Sequence, residues 1–184
     1  MNARRINKFP LVALVALVAT VAVACAPMTP PRTSTVDQVD VERYLGTWYE
    51  VGSIKQFFSI GLVNTKAEYS LRSDGLIRVE NSGRYFAPFG PESRIVGSAA
   101  PVDESNARLN VSFAGTATPT PPGNYWIVDL DDDYQWAIVS DPTGQSGFLL
   151  TRERSVSDEL YAELVQRARD AGVNTGNLTR TPQL

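Results

Sequence analysis

The chain has 184 residues and a mass of 20.1 kDa, room for one globular domain and a short appendage but not for a second full domain. A content of 43% hydrophobic and 20% charged residues, with 12 Pro and 13 Gly, excludes a disordered, collagen-like or multi-pass membrane chain. Histidine is absent and Cys25 is the single cysteine, which excludes imidazole bases, Ser-His and Cys-His nucleophile pairs, His-ligated zinc or haem, internal disulfides and cysteine metal clusters.

Residues 1–24 carry Arg4, Arg5 and Lys8, then an apolar run from Leu11 to Ala24 broken by Thr20. That run is 14 residues, short of the roughly 20 that span a hydrocarbon core, and small residues close it, so it reads as a secretion signal rather than a permanent anchor. Val21-Ala22-Val23-Ala24-Cys25 resembles the lipobox of bacterial lipoproteins, with Ala22 where Leu is commoner. The resemblance implies that Cys25 is acylated and becomes the mature N-terminus, several acyl chains holding the protein to a membrane. The alternative is an ordinary secreted protein with a spare thiol. Ala26 replaces the Asp that retains enteric-type lipoproteins at the inner membrane, so an outer-membrane address is permitted. Without its leader the chain keeps 14 Lys and Arg against 20 Asp and Glu, a net charge of −6. Nucleic acid is therefore not an expected partner. Residues 25–37 are rich in Pro and Thr without apolar periodicity, which predicts an extended tether, and the folded domain is expected over 38–184.

From Thr47 onward, period-two alternation recurs in short segments, an all-β signal. Ala67, Tyr69 and Leu71 share one face of 66–72, Asp74-Gly75 supplies a turn, and Leu76 to Glu80 resumes the alternation, so 66–81 reads as a hairpin. Further strands are expected at Thr47–Ser53, around Tyr85–Phe86, and at Arg94–Ala99, Arg108–Phe113, Tyr125–Leu130, Tyr134–Val139 and Gly147–Thr151. Short turn-rich breaks between them imply antiparallel neighbours. The period then changes: Leu160, Leu164, Val165 and Ala168 form a helical stripe, with Ser157 as N-cap and Gly172 just past the end. Eight or nine sequential strands followed by one amphipathic helix predict an all-β fold: an eight-stranded antiparallel up-and-down β-barrel with a C-terminal α-helix packed outside. Such a barrel has an interior large enough for side chains plus one small ligand.

Gly46-Thr47-Trp48-Tyr49-Glu50 resembles the first conserved block of the lipocalins, Asp131 to Val139 the second, and Leu149-Leu150-Thr151-Arg152 the third. The resemblance runs from Tyr44 to Pro182 and is nearest to bacterial outer-membrane lipocalins and apolipoprotein D-like relatives, in which a Ser-Asp-Glu helix start also follows the Arg strand. Trp136 falls where many lipocalins have Tyr. The resemblance implies that Gly46, Trp48 and Arg152 close one end of the barrel, with the guanidinium across the indole.

Phe57, Phe58, Tyr69, Leu71, Tyr85, Phe86, Phe113, Tyr125 and Trp136 are the candidate ligand-binding residues, with Val79, Leu109 and Val111 on the same strands. Each is as consistent with packing as with ligand contact. The resemblance places Phe57 and Phe58 in the loop that arches over the open end, where two adjacent aromatics suggest a lid; inward packing on the mouth and an interface with a membrane or a second copy are the alternatives. The resemblance implies a fatty acid or lysophospholipid, with a head group at the mouth near Lys55, Arg84 or Arg94. Ten buried methylenes would contribute about 8 kcal/mol gross, enough for micromolar binding after association costs. No cofactor or metal is implied, and a monomer or weak homodimer is expected. Two other readings remain: an envelope lipoprotein whose barrel is filled by its own side chains and which binds protein, and an enzyme in the same cavity. Against the enzyme stand the missing His and a barrel without Cys. Asp131, Asp132 and Asp133 read as a solvated turn rather than a calcium or catalytic cluster.

Overall fold

A computed structural model describes residues 33–56 and 59–184. The leader, Cys25, Phe57 and Phe58 lie outside the described residues. Alternation gives β1 (Gly46–Ile54), β2 (Leu62–Leu71), β3 (Ile77–Tyr85), β4 (Glu92–Pro101), β5 (Arg108–Ser112), β6 (Tyr125–Leu130), β7 (Trp136–Ser140) and β8 (Gly147–Thr151). Each strand pairs antiparallel with the next, and β1 pairs with both β8 and β2, so the sheet closes into a barrel. The antiparallel order gathers the β1–β2, β3–β4, β5–β6 and β7–β8 connections at one end and the β2–β3, β4–β5 and β6–β7 connections at the other.

One turn of helix, α1 (Val41–Tyr44), precedes β1, and α2 (Asp158–Asp170) follows β8. The Ser157 hydroxyl accepts the Leu160 amide hydrogen bond at 3.1 Å, and the helix caps at Ala171, just before Gly172. Leu164 and Ala168 of α2 bury against Val51, Trp126, Val128, Ile138 and Leu149 on the outer face of the wall. The opposite face of the same strands carries Trp48, Ile127, Val139 and Leu150, which join Tyr69, Val79 and Leu109 of β2, β3 and β5 in the inner cluster. Period two thus sorts one strand into two cores, one within the barrel and one beneath the helix.

Three features differ from the expected layout. Tyr85 ends β3 rather than forming a strand of its own, because β3 pairs with β2 out to Tyr85 opposite Leu62, across a register shift between Val63 and Lys66, and with β4 out to Arg84 opposite Glu92. Folded structure begins within the expected tether: Thr33 is buried and the Val36 amide donates to Ile127 O at 3.0 Å. A ninth strand, β9 (Leu178–Arg180), completes the wall. β1 touches β2 only from Gly46 to Tyr49, and β9 lies beside Gly52–Ile54 where the two separate. Beyond it, Asn64 N donates to Pro182 O at 2.8 Å, and Gln183 Nε2 donates to both Glu50 O and Thr65 O at 2.9 and 2.8 Å. Deleting residues 181–184 should therefore cost about 2–4 kcal/mol, since several buried backbone partners are lost at once. Urea denaturation checks this, and an unchanged midpoint would show that the tail merely rests on the wall.

Candidate functional site: the barrel interior

Trp48 sits on β1 facing inward and is fully buried. Its indole Nε1 donates to Tyr44 O at 2.8 Å, which pins α1 across this end of the barrel. The Arg152 guanidinium carbon lies 3.8 Å from the Trp48 ring centroid. Arg152 donates to Thr47 O at 2.8 Å, Arg43 O at 2.7 Å and Tyr134 O at 3.3 Å, joining β1, α1 and the β6–β7 turn. Burial lowers its pKa. Gly46 holds φ +94°, and a Cβ there would lie 3.5 Å from the Arg152 Nη1, so a side chain would strain the backbone beside the guanidinium.

Above this layer, the Tyr125 hydroxyl is 2.8 Å from that of Tyr44 and 3.1 Å from that of Tyr69. Burial pushes the Tyr69 phenol up to about 12 and the Tyr44 and Tyr125 phenols well above their ordinary value. Val39, Ile77, Val79, Ala99, Leu109 and Ile127 pack around the three rings and leave a hollow of about 10 Å³. That is roughly the space of one water-sized sphere. The closed half of the barrel is therefore packed.

The half toward the other end is different. Register places Ile95 opposite Asn81, on the inward face with Val79 and Ala99. Ala99 is buried, whereas Ile95 is 48% exposed and Phe113, just beyond β5, is 41% exposed. Solvent thus reaches the inner wall from the mouth. Glu50 pairs with Leu150 and Ser53 with Phe148, both of the inner cluster, so both polar side chains share that wall. The Glu50 carboxylate accepts hydrogen bonds from Ser53 Oγ at 2.7 Å, Thr181 Oγ1 at 2.5 Å and Lys55 Nζ at 2.7 Å. Sequence reasoning missed Glu50, although period two counted from Trp48 would have turned it inward.

Of the expected ligand residues, Tyr69 and Tyr125 lie inside, within the packed layer, and Tyr85 is half-buried at the end of β3. Three assignments are corrected. Trp136 lies on the outer face beside α2, with the Arg167 guanidinium 4.9 Å from its ring, because its neighbour Ala137 is the inward residue. Leu71 has inward parity but ends β2 at the turn and is 58% exposed. Phe86 has left the strand, with φ +66° and 79% exposure. Phe113 lies one residue past β5 but keeps to the inner wall at the mouth, where a Cβ on Gly97 would lie 2.7 Å from its ring. Of the head-group candidates, Arg94 points outward and its Nε lies 2.6 Å from Glu80, whose carboxyl Arg94 and Arg78 hold down to about 2. Arg84 likewise alternates outward and donates to Gly90 O at 3.0 Å, which leaves Lys55 beside the inner wall. Asp131 serves the β6–β7 turn, accepting the Gln135 amide at 3.0 Å. Among the described residues, no group of three or more His, Cys, Asp or Glu could hold a metal ion, and no helix is long and apolar enough to cross a membrane.

A family model described as a lipocalin-like domain matches residues 39–183. Outer membrane lipoprotein Blc of Escherichia coli strain K12 is 39% identical over 154 residues, covering 81% of this chain and 82% of that one. Temperature-induced lipocalin-1 of Arabidopsis thaliana is 35% identical over 154 residues, covering 80% and 81%. Among solved structures, lobster apocrustacyanin A1 superposes with a TM-score of 0.60 at 16% identity, over 87% of this chain and 93% of that one, a likeness of fold. With that match over residues 39–183, relatives of this identity, and the three lipocalin-like blocks gathered at one closed end of a continuous barrel wall, the chain belongs to the lipocalin family.

Proposed function

We propose that this protein is a lipid-anchored lipocalin of the cell envelope, at the outer membrane where the cell has one, that binds or carries a small amphipathic ligand, a fatty acid or lysophospholipid, in the open half of its barrel. Acylation at Cys25 supplies the anchor, and the relatives named outer membrane lipoproteins support that address. One observation carries the binding reading: along β4 the inward side chains pass from buried Ala99 to half-exposed Ile95, a greasy wall open to the mouth and stopped below by the Tyr44, Tyr69 and Tyr125 layer. Hydrocarbon placed there is removed from water at about 25 cal/mol per Å². Lys55, beside Glu50 and Thr181, is the cation that meets a carboxylate or phosphate head group. Gly46, Trp48 and Arg152 keep the far end shut and touch no ligand.

Displacement of a fluorescent fatty acid tests this. Ile95→Asp is expected to weaken binding at least tenfold without changing Tm, because the side chain is already half-exposed. Lys55→Met is expected to weaken a fatty acid and leave the alcohol of equal chain length unaffected. Wild-type protein that binds neither would sink the reading. The packed closed end favours one alternative, a barrel filled by its own side chains that acts through protein contacts. Organic extracts of protein purified from its native membrane distinguish the two, since that alternative requires an extract free of lysolipid and fatty acid.

A further inference from the structure

The rim at the open end carries apolar side chains that nothing among the described residues covers. Phe89 is 98% exposed and Ile60 is 63% exposed, and with Phe86 they stand on the β1–β2 and β3–β4 connections. The two connections are locked together. Phe86 N donates to Gly61 O at 2.7 Å, and the Phe86 ring covers Gly61 so closely that a Cβ there would lie 2.5 Å from a ring carbon. Immediately behind Phe89, Lys66 and Arg84 line an outer groove of about 560 Å³.

The course of the N-terminal segment says what faces this rim. Val39 N donates to Ser105 O in the β4–β5 turn at the closed end, Val36 N donates to Ile127 O on β6, and Thr33 Oγ1 donates to Asp141 O at 2.9 Å. Asp141 begins the β7–β8 connection, so the described segment climbs the wall and reaches the open end at Thr33. Cys25 stands eight residues before Thr33, a reach of at most about 29 Å fully extended.

We propose that the open end docks on a lipid surface, with Phe86, Phe89 and Ile60 entering the interface and Lys66 and Arg84 at the depth of the phosphates. The proposal takes its orientation from acylation of Cys25 as read above. A chain tied beside its rim presents that rim to the membrane. Aromatic tips with cations one layer behind match the apolar and phosphate depths of a bilayer, whereas a net acidic protein gains little from charge alone. Docking would place the mouth where an amphipathic ligand leaves or enters the bilayer.

The test uses full-length protein processed in its own envelope and reconstituted on phosphatidylethanolamine and phosphatidylglycerol vesicles. Ala87→Cys, between the two aromatics, and Ser73→Cys, at the closed-end turn, each take an environment-sensitive fluorophore. The probe at 87 is expected to shift to the blue and to be quenched by lipids bearing a shallow nitroxide, while the probe at 73 is neither shifted nor quenched. Adding Phe86→Ser and Phe89→Ser should lower the partition of the 87 probe at least tenfold, while acylated protein still floats with vesicles. Equal responses at the two positions, or none at 87, overturn the proposal. So does a blue shift at 87 that follows protein concentration without vesicles, which would give the patch to a second copy. Acylation is read separately from the mass of the N-terminal peptide. Cys25→Ser chain at millimolar lipid reports docking through the rim alone, so loss of anchor and loss of docking are told apart.

Discussion

Replacing Trp48 with Ala is expected to cost about 3–5 kcal/mol, because a fully buried indole leaves a cavity that α1, held by the Trp48 hydrogen bond to Tyr44 O, cannot collapse to fill. Arg152→Ala should cost about 2–3 kcal/mol. It removes the cation over the ring, worth roughly 0.5–2 kcal/mol, and leaves Thr47 O and Arg43 O without their donor. Both are read from urea denaturation. Ligand affinity of the remaining folded Arg152→Ala protein should change little, because the Tyr44, Tyr69 and Tyr125 layer separates this end from the mouth. An Arg152→Ala protein of normal stability and lost affinity would move that arginine from wall to binding site.

Alkaline pH is expected to unfold the protein steeply. Unfolded phenols titrate near 10, while in the barrel Tyr69 holds its proton to about 12 and Tyr44 and Tyr125 hold theirs well above 10. The folded pKa values are raised, so the stability gained by keeping these groups neutral is whole below pH 10. It is lost as pH rises through the window from 10 toward the folded values. Above 10 the unfolded chain binds fewer protons than the folded one, and each phenol removes about 1.4 kcal/mol per pH unit. Denaturant midpoints between pH 9 and 11.5 should fall with a slope of up to three protons. Tyr125→Phe should flatten that slope by at least one, while costing about 1–3 kcal/mol at neutral pH because the Tyr44 and Tyr69 hydroxyls lose their common partner. An unchanged slope would mean that the ring layer opens to solvent before the barrel does.

How much of this was legible in the chain depends on the range of the interaction. Strands β6 and β8 and the Ser157 cap were readable to the residue, because alternation and capping are local and repeat over a few positions. The barrel followed from strand count and short turns. The binding face was read less well, since parity shows that two residues share a side but not which side is the interior. Trp136 and Tyr125 look alike as strand aromatics. One lies beside α2 and the other joins the tyrosine layer. Phe86 continued an apolar pattern, yet the approach of the β1–β2 connection at Gly61 turned it out of the strand.

In the sequence alone, local period therefore determined the all-β class and the outer helix, and the resemblance of three short blocks to the lipocalins implied the family and the closing pair of Trp48 and Arg152. Tertiary structure decided that the interior is packed below and open above, that Glu50 and Lys55 pair on its wall, and that the C-terminal residues fill the gap between β1 and β2. Those outcomes depend on which distant segments meet when the sheet closes. Glu50 and Thr181 are 131 positions apart, a separation that no local pattern encodes.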